Sequence, residues 1–162
     1  MNPLKRLAAV IVAVGALAAP TVARVEHSTP DLIRAAQSHG ITFKFNPKEC
    51  DSGRYHGSYS FSTRIIQLCY NIADANAHDT VRHEVWHAIQ HCAATKRGRP
   101  FEPIASRADL DPFVRSQLTD SQIVAIKNNY PKDAWFTEME AFAAAEAYTA
   151  DQLSQLLRGW CG

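Results

Sequence analysis

Asp79-Thr80-Val81-Arg82-His83-Glu84-Val85-Trp86-His87-Ala88-Ile89-Gln90-His91-Cys92-Ala93-Ala94 is the stretch that decides how this chain folds. Val81, Val85, Ala88, Ile89 and Cys92 fall at i, i+4, i+7, i+8 and i+11, the stripe of a helix that buries one face. His83 and His87 stand one turn apart on another side of that helix, so both imidazoles can reach a single ion. Glu84 lies beside such an ion rather than on it, where a carboxylate can take a proton from water. Random placement of these residue types yields roughly 0.01 occurrences of His-Glu-x-x-His in a chain of this length, so chance is a poor explanation. The run Lys96-Arg97-Gly98-Arg99-Pro100 then breaks the helix.

Upstream, Thr29 and Pro30 have the character of an N-cap and a first helical position, and Gly40 that of a stop, predicting a short helix over residues 31–39. Residues 41–45 alternate apolar and polar, a strand signal. Residues 58–61 and 65–70 are β-prone, with Ser62-Thr63-Arg64 between them, and read as a hairpin. Downstream, residues 96–115 hold three prolines and show no clear period, and read as a long loop. Thr119 with Gln122, and Thr149 with Gln152, have capping-box spacing and open two helices. Between them Asp133 caps a predicted helix over residues 134–148. The expected class is α+β: a small, mostly antiparallel sheet packed on the central His-Glu-x-x-His helix, followed by a C-terminal helical part.

The chain has 162 residues, with 17 Lys and Arg against 16 Asp and Glu. That length suits one domain, and the charge balance lacks the basic footprint of a nucleic-acid binder. Lys5 and Arg6 precede an apolar run over residues 7–19, and Pro20-Thr21-Val22-Ala23 follows. This is the pattern of an export leader over residues 1–23, cut after Ala23 or after Ala18, with residues 24–162 as one domain. The run is shorter than the roughly 20 residues that span a bilayer, though an uncleaved anchor is the competing reading. After cleavage no membrane association is expected, and the location is secreted or periplasmic. Cys50, Cys69, Cys92 and Cys161 make an even set that suits an exported chain and allows three pairings. Cys50–Cys69 and Cys92–Cys161 are the expected pair of disulfides. A zinc site built from cysteines is a poor alternative, because no two of them lie close in sequence.

A catalytic zinc site has three protein ligands and one open position. His91 is two turns from His83, about 12 Å along the axis, too far to share its ion. Gln90 and Ala93 stand where a metzincin has glycine and its third histidine, which excludes that pattern. Glu138 and Glu140, on the helix after Pro131, are the remaining candidates. They lie about 200° apart on a helical wheel, so both cannot face one ion. Glu138 shares its face with Ala141, Ala145 and Tyr148, and Glu140 has its own small face of Ala143, Ala144 and Ala147, so the wheel does not choose between them.

Residues 83–90, His-Glu-Val-Trp-His-Ala-Ile-Gln, and residues 138–144, Glu-Met-Glu-Ala-Phe-Ala-Ala, together resemble the glutamate zincins, especially small bacterial domains with HExxHxxQ and a later ExEA. In such domains the first glutamate of the second motif binds the metal. The resemblance therefore implies Glu138 as third ligand beside His83 and His87, Zn²⁺ as cofactor, and a minimal zincin-like core. The family often has aspartate after the alanine, supporting a liganding histidine. Here that position is Phe142. The expected function is a secreted zinc metallopeptidase acting on a peptide or protein substrate. Glu84 is its general base, and Tyr148, on the Glu138 face, is a candidate donor to the oxyanion. Two alternatives are an exported module of the same fold that only binds a partner, and a hydrolase of non-peptide amides such as those of cell-wall material.

Overall fold

The structure is a computed structural model and describes residues 22–52, 56–69 and 75–162. The chain forms α1 (Val22–Ser38), β1 (Thr42–Phe45), a 3-10 turn (Lys48–Ser52), β2 (Gly57–Ser60), β3 (Ile65–Leu68), α2 (Ala75–Arg97), α3 (Arg107–Gln117), α4 (Asp120–Asn129), α5 (Trp135–Ala147) and α6 (Ala150–Cys161). The class is α+β, as expected. The leader expected over residues 1–23 lies outside the described residues except for its last two. No described helix is long and apolar enough to cross a membrane.

The sheet is mixed rather than mostly antiparallel. Its order is β1-β3-β2, with β3 antiparallel to β2 and parallel to β1. The tight turn over residues 61–64 folds β3 back along β2, as the hairpin reading required. β2 is thus an outer strand, and β3 lies between the other two. Arg64 closes the turn with φ of +54°, and its guanidinium donates to the His39 carbonyl at 3.0 Å.

Two elements differ from their predicted extents for local reasons. α1 runs through Pro30 instead of starting there. Thr29 does not cap it, because its hydroxyl is hydrogen-bonded to His78 Nδ1 at 2.7 Å on α2. Packing of Leu32, Ile33 and Ala36 into the core holds α1 in spite of the N–H that proline lacks. The expected long loop over residues 96–115 is a short link followed by α3. Ser106 caps α3 by accepting from the Asp109 amide, and Leu110 and Val114 form its buried face. Pro112 hid this helix from a reading by period. Both capping boxes are present, at Thr119–Gln122 and Thr149–Gln152.

The main core joins α1, the sheet, α2 and α6. Leu32, Ile66, Val81, Val85, Ala88, Ile89, Leu153 and Leu157 are fully buried in it. Each such large side chain contributes about 1.5–3 kcal/mol by burial. A second cluster of Leu110, Val114, Leu118, Ile126, Met139 and Ala143 joins α3, α4 and α5. Helix α5 belongs to both. Its Ala141 and Ala144 are fully buried in the main core, and side chains this small let α5 lie close along α2. The disulfides Cys50–Cys69 and Cys92–Cys161 are both present. The first ties the 3-10 turn to the end of β3 and the second ties α6 to α2. Two disulfides point to an oxidising compartment.

Candidate metal centre

His83, Glu84 and His87 sit mid-way along α2, and all three are buried. The Nε2 atoms of His83 and His87 lie 3.0 Å apart, so both rings aim at one point. Glu138 reaches that point from α5. Its Oε2 is 3.3 Å from His83 Nε2 and its Oε1 is 3.4 Å from His87 Nε2. One ligand atom from each of the three lies within 4.8 Å of the others, a group that could hold a metal ion. Two imidazole nitrogens and a carboxylate oxygen are a donor set suited to a borderline divalent cation. Glu138 Oε2 is buried without a hydrogen-bond partner, as an oxygen reserved for a cation would be.

The other candidate ligand on α5, Glu140, does a different job. Glu140 is 1% exposed and accepts four N–H donors: Gln90 Nε2 at 2.8 Å, Trp86 Nε1 at 3.2 Å, and the amides of Ile104 at 2.9 Å and Ala105 at 2.8 Å. Gln90 is thereby held with its Oε1 2.8 Å from His87 Nδ1. An imidazole that donates from Nδ1 presents the lone pair of Nε2 inward, the tautomer that metal binding needs. Glu140 thus aligns His87 through Gln90. His83 has no such support. Phe142 packs against its ring at 4.3 Å, tilted by 56°, and the His83 Nδ1 is buried without a partner. A phenylalanine at position 142 cannot accept a hydrogen bond from that nitrogen.

Burial and mutual charge set the protonation states. Burial pushes His83 down to about 4, against the pull of Glu138. Burial also acts downward on His87, but Glu138, Glu84 and Gln90 outweigh it and the net shift is upward. Glu138 is raised by burial yet brought down to about 2 by its two histidine partners. Glu84 is pushed up to about 7, first by burial and then by the nearby Glu138 charge, with His87 opposing. A carboxylate with such a value can exchange a proton near neutral pH.

A cavity of about 470 Å³ opens over this group on the sheet side, and another of about 710 Å³ on the α4 side. Tyr148, expected as an oxyanion donor, lines neither. Helix α5 ends at Ala147, and Tyr148 takes an extended conformation with φ −111° and ψ 135°, which carries its ring off the Glu138 face. It stacks on Trp86 at 5.4 Å and leans on Phe113. The tyrosine at the site is Tyr130, the C-cap of α4, which lines both cavities and interacts with Glu138. Burial, with the charges of Glu138 and Glu84, raises its pKa, so its hydroxyl stays a donor. No spacing in the sequence marks Tyr130, because α4 and α5 pack together only in the folded chain. His91, set aside as a ligand, is hydrogen-bonded to the Tyr59 hydroxyl at 2.8 Å.

Gly57 brings β2 against α2. A Cβ there would stand 2.6 Å from Thr80 Cγ2 and 2.8 Å from Glu84 Oε1. Gly57→Ala must therefore displace Glu84 or the strand.

Compared with protein-family models, with curated proteins and with solved structures, the chain matches none.

Proposed function

We propose that this protein is an exported zinc-dependent peptidase. The observation that supports this best is the convergence of His83, His87 and Glu138 on one point, with the Glu84 carboxyl beside them in the walls of both cavities. A zinc ion held by those three side chains supplies a charge that acidifies water and polarises a carbonyl. Glu84 accepts the proton of the attacking water and returns it to the leaving amine. Tyr130 is placed to donate to the oxygen on which negative charge develops. Gln90 and Glu140 keep His87 in register throughout.

A peptide substrate suits the surroundings. Among the described residues β2 is an outer strand, and Gly57, Ser58 and Tyr59 line the sheet-side cavity. An extended chain can pair with such an edge through its backbone, whatever its side chains. The two disulfides fit an exported protein.

Metal analysis and peptide cleavage test the reading together. The purified protein should contain one zinc per chain, lose it and its activity to a chelator, and regain both on zinc addition. Stoichiometric zinc with no cleavage of a broad peptide library would leave a binding module. Cleavage of cell-wall amides in place of peptides would change the substrate class.

The pH profile gives a further expected result. Glu84 accepts a proton only when ionised, and its value of about 7 lies above the ordinary 4.5. Activity should therefore be lost as pH falls. A cation in the site draws Glu84 back down, so the acid limb of kcat/KM should lie between those two values. Rates measured from about pH 5 to about pH 9 check it, and a limb that persists unchanged in Glu84→Gln would assign the titration to another group.

A further inference from the structure

The two cavities share a wall at the candidate metal centre, formed by Gly57, His83, Glu84 and Tyr130, and we read them as two halves of one groove. Their chemistry differs. The sheet-side half carries two phenylalanines, Phe61 from the turn after β2 and Phe101 from the link after α2, with ring centroids 4.1 Å apart. Phe101 also lies 6.2 Å from the His87 ring, and Tyr59 meets Phe61 edge-on at 5.2 Å. A single exposed phenylalanine is ordinary. Phe61 is 41% exposed on the wall of the sheet-side cavity, one ring away from a candidate metal ligand. The α4-side half instead has Leu118, Ile126 and Phe142 within it, and Asp79 and Glu146 among its walls.

We infer that the groove takes a polypeptide running through both halves, so that an internal bond is presented to Glu84, and that a large aromatic side chain next to that bond packs on Phe61 and Phe101. This inference rests on the peptidase reading and gives it a substrate class. An occupant ending at the centre would leave one half of the groove unfilled. An aromatic ring at the sheet-side wall gains both apolar burial and edge or offset contacts with two rings already held near each other. A small side chain there would leave Phe61 in water.

The test separates binding from turnover. Zinc-loaded Glu84→Gln protein is titrated calorimetrically with an end-blocked peptide of about ten residues carrying one central phenylalanine in a Gly/Ser background. The same is done with its alanine counterpart and with a free-ended phenylalanyl dipeptide. The phenylalanine peptide should bind about tenfold more tightly than the alanine peptide, the gain expected of one well-packed ring. Phe61→Ala and Phe101→Ala, each placed in the Glu84→Gln protein, should reduce that gap to about twofold or less. Phe45→Ala, on β1 and 48% exposed, should leave it unchanged. Melting temperature and zinc content, measured on each variant, confirm that the loss is local. Equal affinity for the phenylalanine and alanine peptides, a gap that survives both substitutions, or a dipeptide binding as well as the long peptide would overturn the inference. Wild-type cleavage mapped by mass spectrometry then tells it apart from the parent reading. Cuts beside phenylalanine support both. Selective binding without any cut keeps the aromatic groove and removes the peptidase. Cuts without regard to phenylalanine keep the peptidase and remove the aromatic groove.

Discussion

Glu84→Gln is expected to lower peptide hydrolysis by about 10²–10⁴-fold, the range a positioned general base supplies, while the protein keeps its zinc and its fold. The substitution is close to isosteric, and Glu84 is buried against Gly57, so shape is preserved. The amide cannot accept the proton of the attacking water. Glu84 is not one of the three residues whose ligand atoms converge, so metal content should stay at one per chain. Hydrolysis rates, metal analysis and a thermal melt on the same preparation settle the matter. Wild-type activity in the variant would remove Glu84 from the chemistry. Loss of zinc along with activity would make Glu84 part of the metal site instead.

The second large effect is a contrast between two glutamates only two residues apart. Glu138→Ala removes one of three converging side chains and should weaken zinc binding by well over about 100-fold, more than is lost when only a ligand's supporting group is deleted. The metal-free fold should lose only the contacts that Glu138 makes with His83 and His87 from the cavity wall. Glu140→Ala should behave in the opposite sense. It strands four N–H donors from Trp86, Gln90, Ile104 and Ala105. Unsatisfied buried donors cost about 1–3 kcal/mol each and do not add fully, so a loss of about 3–5 kcal/mol is expected. In a domain of this size that lowers the melting temperature by about 10 °C or more. Zinc titrations and melts of the two metal-free variants distinguish the roles. Matching behaviour of the two would mean that the division of labour between them is wrong.

Much of the helical framework could be read from side-chain order. The stripe from Val81 to Cys92 and the capping boxes at Thr119 and Thr149 are local features, set by the period of the helix and by hydrogen bonds across one turn. Both disulfides match the expected pairing, chosen among the three that four cysteines allow because one closes a local segment and the other ties the C-terminus to the central helix. The reading failed where a longer-range partner won. Thr29 is drawn to His78, and so does not cap α1. Ser106 and Asp109 start a helix that Pro112 concealed. β1 pairs parallel with β3, with β2 on the far side, a register between strands that no local pattern sets.

What residue order determined unaided was that His83 and His87 share one side of a helix with Glu84 next to them, since 3.6 residues per turn is a property of the backbone alone. Which α5 carboxylate meets them, that Tyr130 rather than Tyr148 stands at the site, and that Gly57 lets β2 touch Glu84 were decided only by packing. A helical wheel gives directions around one axis. It cannot give the offset between two axes, and that offset, set here by buried Ala141 and Ala144, puts Glu138 over the histidines and Glu140 over Gln90.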